Sequence, residues 1–225
     1  ICGFRPSVNG YELEGIENGK SSNIDGIPFK SIKEDVLKDF RKGGLLIMNW
    51  TAPNYNGNED ILEEYAKKVA NFLGSLQDDY GIKAPIVLNL FPIDGKSWYC
   101  QLSKDDYIDL YKKMQDLLDD EDVSNVIYGY SEAYQPGKNL MDRYPDHNID
   151  VINVTYLQSR TSINLPLYDK SIKDIINQAL PFAQEHNTAF GLTTGVESIG
   201  DSSVFASTLL PELKQHHIAY LMFGK

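Results

Sequence analysis

The feature that most limits the folds open to this chain is the run Ala84-Pro-Ile-Val-Leu-Asn-Leu-Phe-Pro-Ile-Asp-Gly-Lys-Ser-Trp-Tyr-Cys100. Residues 85–91 read as an apolar strand that breaks at Pro92 and opens into a loop with a Gly turn and two adjacent aromatic residues. An unbroken apolar strand suits a parallel sheet covered on both faces, because a strand with one wet face alternates instead. In strand-loop-helix repeats the loop after each strand is where function sits.

The rest of the chain switches between strand and helix periods. Residues 6–13 read as a short strand. Residues 29–41 set Ile32, Val36, Leu37 and Phe40 at helical spacing, and Gly43-Gly44 ends that helix. Leu45-Leu-Ile-Met-Asn-Trp50 is a second strand, followed by a polar loop over 51–58 and a helix over 59–80 with Leu62, Val69, Phe72 and Leu73 on one face. Ser103 with Asp106 predicts a capping-box start for a helix carrying Tyr107, Leu110, Met114 and Leu118. Strands follow over 126–130, 150–156, 189–194 and 217–223. A long loop spans 131–146, one helix carries Ile172, Ile175, Ile176 and Ala183, and another begins near Ser203.

This alternation, without a linker or a composition shift, predicts a single α/β domain over residues 1–225 with a parallel sheet, either a closed barrel or an open doubly wound sheet. Seven strands are strong. A (β/α)8 TIM barrel needs an eighth, which residues 1–4 would have to supply; otherwise the barrel is incomplete at the N-terminus.

Charge removes one class of partner. A formal net charge of -11 opposes a phosphate-tracking surface, since nucleic-acid affinity comes largely from Lys and Arg. No apolar run approaches the roughly 20 residues that a membrane helix needs, so no membrane span is expected. Two cysteines, Cys2 and Cys100, are too few for a disulfide scaffold. Cys2 could also be the remnant of a lipid-attachment site. Adjacent His216 and His217 do not share a face and have no carboxylate at ligand spacing, so neither a metal nor a cofactor is expected. The glycosylation patterns at Asn49 and Asn153 fall inside expected strands and read as coincidence.

Aromatic placement is the strongest functional signal. Trp50, Trp98, Tyr99, Tyr130, Tyr134 and Tyr156 fall at or just beyond the C-terminal ends of expected strands, which would collect them at one mouth of a barrel. Flat rings with a polar edge suit the apolar faces and hydroxyl rims of sugars. The alternative is that some are core residues or loop anchors.

These stretches also resemble glycoside hydrolase family 26, the β-mannanase type of (β/α)8 glycosidase, over nearly the whole chain. Pro6-Ser-Val-Asn-Gly-Tyr-Glu-Leu13 is similar to the family's early strand, and Gly43-Gly-Leu-Leu-Ile-Met-Asn-Trp-Thr51 to its Gly-Gly strand. Asp94-Gly-Lys-Ser-Trp-Tyr99 resembles the Asn-Gly-x-Trp-Phe run that follows the family's acid/base. Asn125-Val-Ile-Tyr-Gly-Tyr-Ser131, Arg143-Tyr-Pro-Asp-His-Asn-Ile-Asp-Val151 and Thr194-Gly-Val-Glu-Ser-Ile-Gly-Asp201 are similar to its later strand signatures.

The resemblance implies two carboxyl groups about 5 to 5.5 Å apart, a proton donor and a nucleophile. At those positions this chain has Pro92 and Thr193. Proline has no proton to give, and a threonine hydroxyl without a base is a weak nucleophile. The family's neighbouring His is matched by Phe91, its fourth-strand Arg by Leu88 or Asn89, and its eighth-strand Trp by Gly224.

The reading that follows is an inactive relative that binds a polysaccharide, with β-mannan the leading candidate. Trp50, Trp98, Tyr99 and Tyr156 would stack on sugars, and Asn54, Asp94 and Glu132 would bond to hydroxyls. A monomer, secreted or at the cell surface, goes with the family resemblance. Two alternatives stay open. One is an active endo-β-1,4-mannanase-type hydrolase with relocated carboxylates, Glu132 or Glu197. The other is a scaffold or protein-interaction barrel.

Overall fold

The computed structural model describes residues 7–158, 164–195 and 205–224. The chain divides into two units, Ile1–Gly129 and Tyr130–Lys225.

The first unit holds β1 (Val8–Glu12), α1 (Phe29–Phe40), β2 (Leu45–Trp50), α2 (Glu59–Gly74), β3 (Ile86–Leu90), α3 (Lys104–Asp120) and the start of β4 (Val126–Ala133). Its strands pair in parallel and in chain order, β1 on β2, β2 on β3 and β3 on β4. All five residues of β3 are buried, four of them apolar and the fifth Asn89, as suits a strand covered on both faces.

Local chemistry sets the helix ends. Gly43 turns the chain out of α1 with a φ of 73°, which costs a residue without a β-carbon little. Asn58 caps α2 by accepting from the Asp60 amide, and Ser103 caps α3 through Asp106 as the capping box predicts. A single 3-10 turn, Trp98–Gln101, stands between β3 and α3, where the sequence suggested only loop.

The second unit holds the end of β4, then β5 (Val151–Tyr156), α4 (Leu165–Glu185), β6 (Ala189–Gly195), a π-helical turn (Phe205–Leu209) that runs into α5 (Leu210–Gln215), and β7 (Tyr220–Gly224). Strands β5, β6 and β7 pair in parallel, again in chain order. The expected loop between β4 and β5 is present, with no helix in it.

Strand order follows the chain throughout. A doubly wound sheet would reverse its order at a switch point, so the barrel order is the one realised. The strand expected from residues 1–4 lies outside the described residues. No helix among the described residues is long and apolar enough to cross a membrane.

Strand parity decides which side chains can reach a ligand. Successive residues of a strand point to opposite faces. Tyr11 bonds to Asp39 of α1 and Tyr128 to Asp119 of α3, while Tyr156 stacks on Tyr168 of α4 and Thr194 bonds to the same tyrosine. These residues mark the helix face. Glu12, Gly129, Thr155 and Thr193 therefore lie on the face turned away from the helices.

Candidate functional site

Two of the expected sugar platforms are core residues. Trp50 and Tyr99 are both 0% exposed. Trp50 donates its indole N–H to Glu17 at 3.2 Å and packs against Phe91 at 5.4 Å. Tyr99 meets Phe91 at 5.4 Å, and its hydroxyl donates to the Pro92 carbonyl. Neither ring has a face open to a sugar, so the anchor alternative holds for both.

Tyr156 is 6% exposed and lies on the helix face, stacked on Tyr168 with ring centroids 5.8 Å apart. Parity turns it toward α4, away from the position its place in the chain suggested.

Phe91 closes the end of β3. It carries a φ of 48°, a left-handed conformation that costs an ordinary L-residue about 1 to 2 kcal/mol. Its surroundings hold it there. Its amide donates to the Trp50 carbonyl, its carbonyl accepts from Tyr107, and its ring is sealed among Trp50, Tyr99 and Tyr111. The turn sends the Phe91 ring inward and leaves Pro92 half-buried at the start of the loop.

That loop presents an aromatic surface. Trp98 is half-buried, with its indole N–H fixed by the Ala52 carbonyl at 2.9 Å. Tyr55, in the loop after β2, meets it edge to face at 5.7 Å and is also half-buried. Asn54 beside it is exposed and accepts from the Asn56 amide. Tyr55 was not among the residues expected at the site; its position five residues beyond the end of β2 is the one signal the sequence carries for it.

Asp94 is a brace for this loop more than a ligand group. Its Oδ1 accepts from the Lys96 and Ser97 amides, and its Oδ2 from the Ser97 hydroxyl. Burial works against ionisation, but the Ser97 and Lys96 amides outweigh it and hold the carboxyl below its usual range. Gly95, with a φ of 75°, completes the turn. The Cys100 thiol, a free cysteine, lies 3.4 Å from the same carboxylate, and burial raises its pKa.

Glu132 shares its face with Tyr128 and Tyr130, the helix face of β4. Its Oε2 accepts from the Tyr130 hydroxyl and the Met141 amide, each at 2.9 Å, so it ties down the loop after β4. Burial pushes its pKa up, and those two donors offset the rise only in part. As a hydroxyl ligand or a relocated catalytic group, it points to the wrong side of its strand. Glu197 lies outside the described residues.

Thr193 lies on the face away from the helices and is 5% exposed. Its hydroxyl donates to Asn153 Oδ1 at 2.8 Å. Asn153 also accepts from Tyr220 and donates to Ser131 and Thr155. An amide oxygen is no base, so this hydroxyl is held but not activated. The two glycosylation patterns sit within β2 and β5, with both asparagine side chains engaged inside the fold.

Sequence reasoning missed Glu12. It is the last residue of β1, half-buried, and accepts from Asn49 Nδ2 at 2.7 Å. Burial pushes its pKa up to about 7; the Asn49 amide works against the rise, and Asp25 and Glu14 add to it. No group of three metal-ligating side chains occurs among the described residues.

Comparison with solved structures identifies the architecture. A GH26 β-mannanase from Bacteroides ovatus superposes with a TM-score of 0.89 at 24% identity, over 99% of this chain and 72% of that one. The fold is that of the family 26 β-mannanases. GH26C from a Muricauda species gives 0.74 at 19% identity, over 97% of this chain and 70% of its own. A modular endo-β-1,4-mannanase from Cellulomonas fimi gives 0.76 at 19%, over 96% of this chain and 57% of its own. The (β/α)8 barrel expected from the sequence is therefore the fold class, with seven of its strands among the described residues. No protein-family model matches the chain, and no curated protein does.

Proposed function

We propose that this chain is a non-hydrolysing relative of the family 26 mannanases that binds a polysaccharide, with β-mannan the leading candidate. The observation that carries the binding reading is the Trp98–Tyr55 pair: two half-buried rings on the loops after β2 and β3, one pinned by the Ala52 carbonyl. Such loops at the C-terminal ends of barrel strands are where ligands sit. A fixed, half-buried ring loses little entropy when a sugar lands on it.

The loss of chemistry is read from Pro92 and Thr193, which stand at the positions the family resemblance gives to the proton donor and the nucleophile. Removing both groups takes away most of an acceleration that is usually at least about a million-fold. The bonds of Thr193 to Asn153 and of Tyr99 to the Pro92 carbonyl fit settled packing at both positions.

Calorimetric titration with manno-, cello- and xylo-oligosaccharides tests the reading. Saturable heat with one of these series, weakened about tenfold or more on Trp98→Ala, is the expected outcome; flat heats for all three remove it. A working hydrolase would instead release reducing sugar from galactomannan. Secretion or display at the cell surface goes with an extracellular polysaccharide ligand.

A further inference from the structure

On the face of the first unit turned away from its helices, one polar row crosses four strands. Glu12, Asn49, Asn89 and Gly129 are register partners on β1, β2, β3 and β4. Every amide in the row points back toward the carboxyl. Asn89 Nδ2 donates to Asn49 Oδ1 at 2.8 Å, and Asn49 Nδ2 donates to Glu12 Oε1 at 2.7 Å. Asn89 Oδ1 ends the row, buried and without a hydrogen-bond partner among the described residues, in the space that a β-carbon on Gly129 would fill.

The row has a direction, and that direction fixes which oxygen of Glu12 is in use. Oε1 holds the Asn49 amide. Oε2 has no hydrogen-bond partner among the described residues and is not among their sealed, unpaired atoms. It belongs to the last residue of β1, at the strand ends where parallel α/β folds place their ligands. The charged groups acting on Glu12 are Asp25 and Glu14, both acidic, in the segment after β1. Asn49 is its neutral neighbour on β2, and Asn23 donates only to its backbone carbonyl.

We propose that Glu12 is a ligand-binding carboxyl of the glycan site and acts in its neutral form, with Oε2–H donating to a sugar oxygen while Oε1 keeps the Asn49 amide. The proposal rests on the glycan-binding reading above and adds a specificity residue and a proton to it. A neutral carboxyl donates and accepts, whereas an ionised one only accepts. Burial already raises the pKa of Glu12 to about 7 in the free protein. A sugar laid over Oε2 excludes water and favours the neutral form further. Binding therefore takes up a proton, and affinity falls as pH rises above the free pKa, at a limit of about tenfold per pH unit.

The test is calorimetric titration of mannohexaose into the purified protein at several values from about pH 5.5 to 8.5, in two buffers of different ionisation heat. The expected result is a loss of affinity of about tenfold between neutral and the top of that range, with buffer-dependent heats that report proton uptake. Glu12→Gln keeps a donor at every pH and abolishes the pH dependence. Glu12→Ala lowers affinity at least about tenfold near neutral pH, with circular dichroism showing the variant folded. Carbon-13 NMR of the side-chain carboxyl reads the free pKa without any ligand, and an ordinary value near 4.5 overturns the proposal by itself. Binding with a flat pH profile overturns the role of Glu12 but leaves the glycan reading standing. A wild-type protein that gives no heat with any glycan at any pH removes both.

Discussion

Gly129→Ala is a small change with a large expected effect. A β-carbon at this position would lie 2.1 Å from Asn89 Oδ1 and 3.0 Å from Val87 Cγ1. The strand backbone holds both neighbours, so the Asn89 side chain has to move. Its rotation breaks the bond to Asn49 and leaves a buried amide with no partner in reach, a loss of about 1 to 3 kcal/mol. Overpacking against Val87 adds about 1 to 3 kcal/mol. Together these give a destabilisation of about 2 to 6 kcal/mol, a large part of the roughly 5 to 15 kcal/mol that holds a domain together.

Urea unfolding followed by tryptophan fluorescence measures this effect in the right place, because both tryptophans, Trp50 and Trp98, lie in the first unit. With a slope of about 2 to 3 kcal/mol per molar urea, the midpoint moves down by about 1 to 3 M. Asn89→Ala in the same background should restore part of the loss, since it removes the atom that clashes. The coupling in the double-mutant cycle should be about 1 to 3 kcal/mol in the stabilising direction. A Gly129→Ala protein within about 0.5 kcal/mol of wild type, or a double variant no more stable than Gly129→Ala, refutes the geometry of the row.

Other changes separate binding from folding. Trp98→Ala should weaken glycan binding by about tenfold or more while shifting the melting temperature little, because its ring is only half-buried; titration and a thermal melt check the two halves. Glu17→Ala should destabilise by about 3 to 5 kcal/mol in urea. Its buried carboxyl accepts from the Gly15 amide, Asn18 and Trp50, and the two buried donors, Gly15 and Trp50, would be orphaned. Glu12 gives a pH dependence of known sign. Its pKa is higher folded, about 7, than the ordinary 4.5, so the folded state binds the extra proton. Its contribution to stability is complete below about pH 4.5 and is lost as pH rises through about 7, a span worth about 3 kcal/mol at most. Stability curves for wild type and Glu12→Gln should diverge over that window and run parallel above it.

The fold was legible because its signals are local. The largely apolar run of β3, the Ser103 cap of α3 and the glycine after α1 act over a few residues, and the structure realises each of them. Parity was harder. Trp50 and Tyr156 close their strands, as the sequence implied, but which face a strand-end residue takes depends on where the helices pack. Tyr168 of α4 and Phe91 decide it. Tyr99 departs from expectation for another reason: the 3-10 turn at Trp98–Gln101 points consecutive aromatics in different directions, burying Tyr99 and leaving Trp98 half-buried.

The polar row had a signal in the sequence that went unused. Asn49 and Asn89 each interrupt an otherwise apolar strand one residue before its end, and Asn153 interrupts β5 three residues before its end. A lone asparagine in such a run needs a partner, because an unpaired amide in the interior costs a kilocalorie or more. Following that need from Asn49 across to the first strand leads to Glu12.

The central claim, binding without cleavage, can be tested in one titration of manno-oligosaccharide into the wild-type protein, with the ligand recovered afterwards and its chain length measured. The account predicts saturable heat and an oligosaccharide returned at full length. Shortened product, or no heat with any of the candidate glycans, would contradict it.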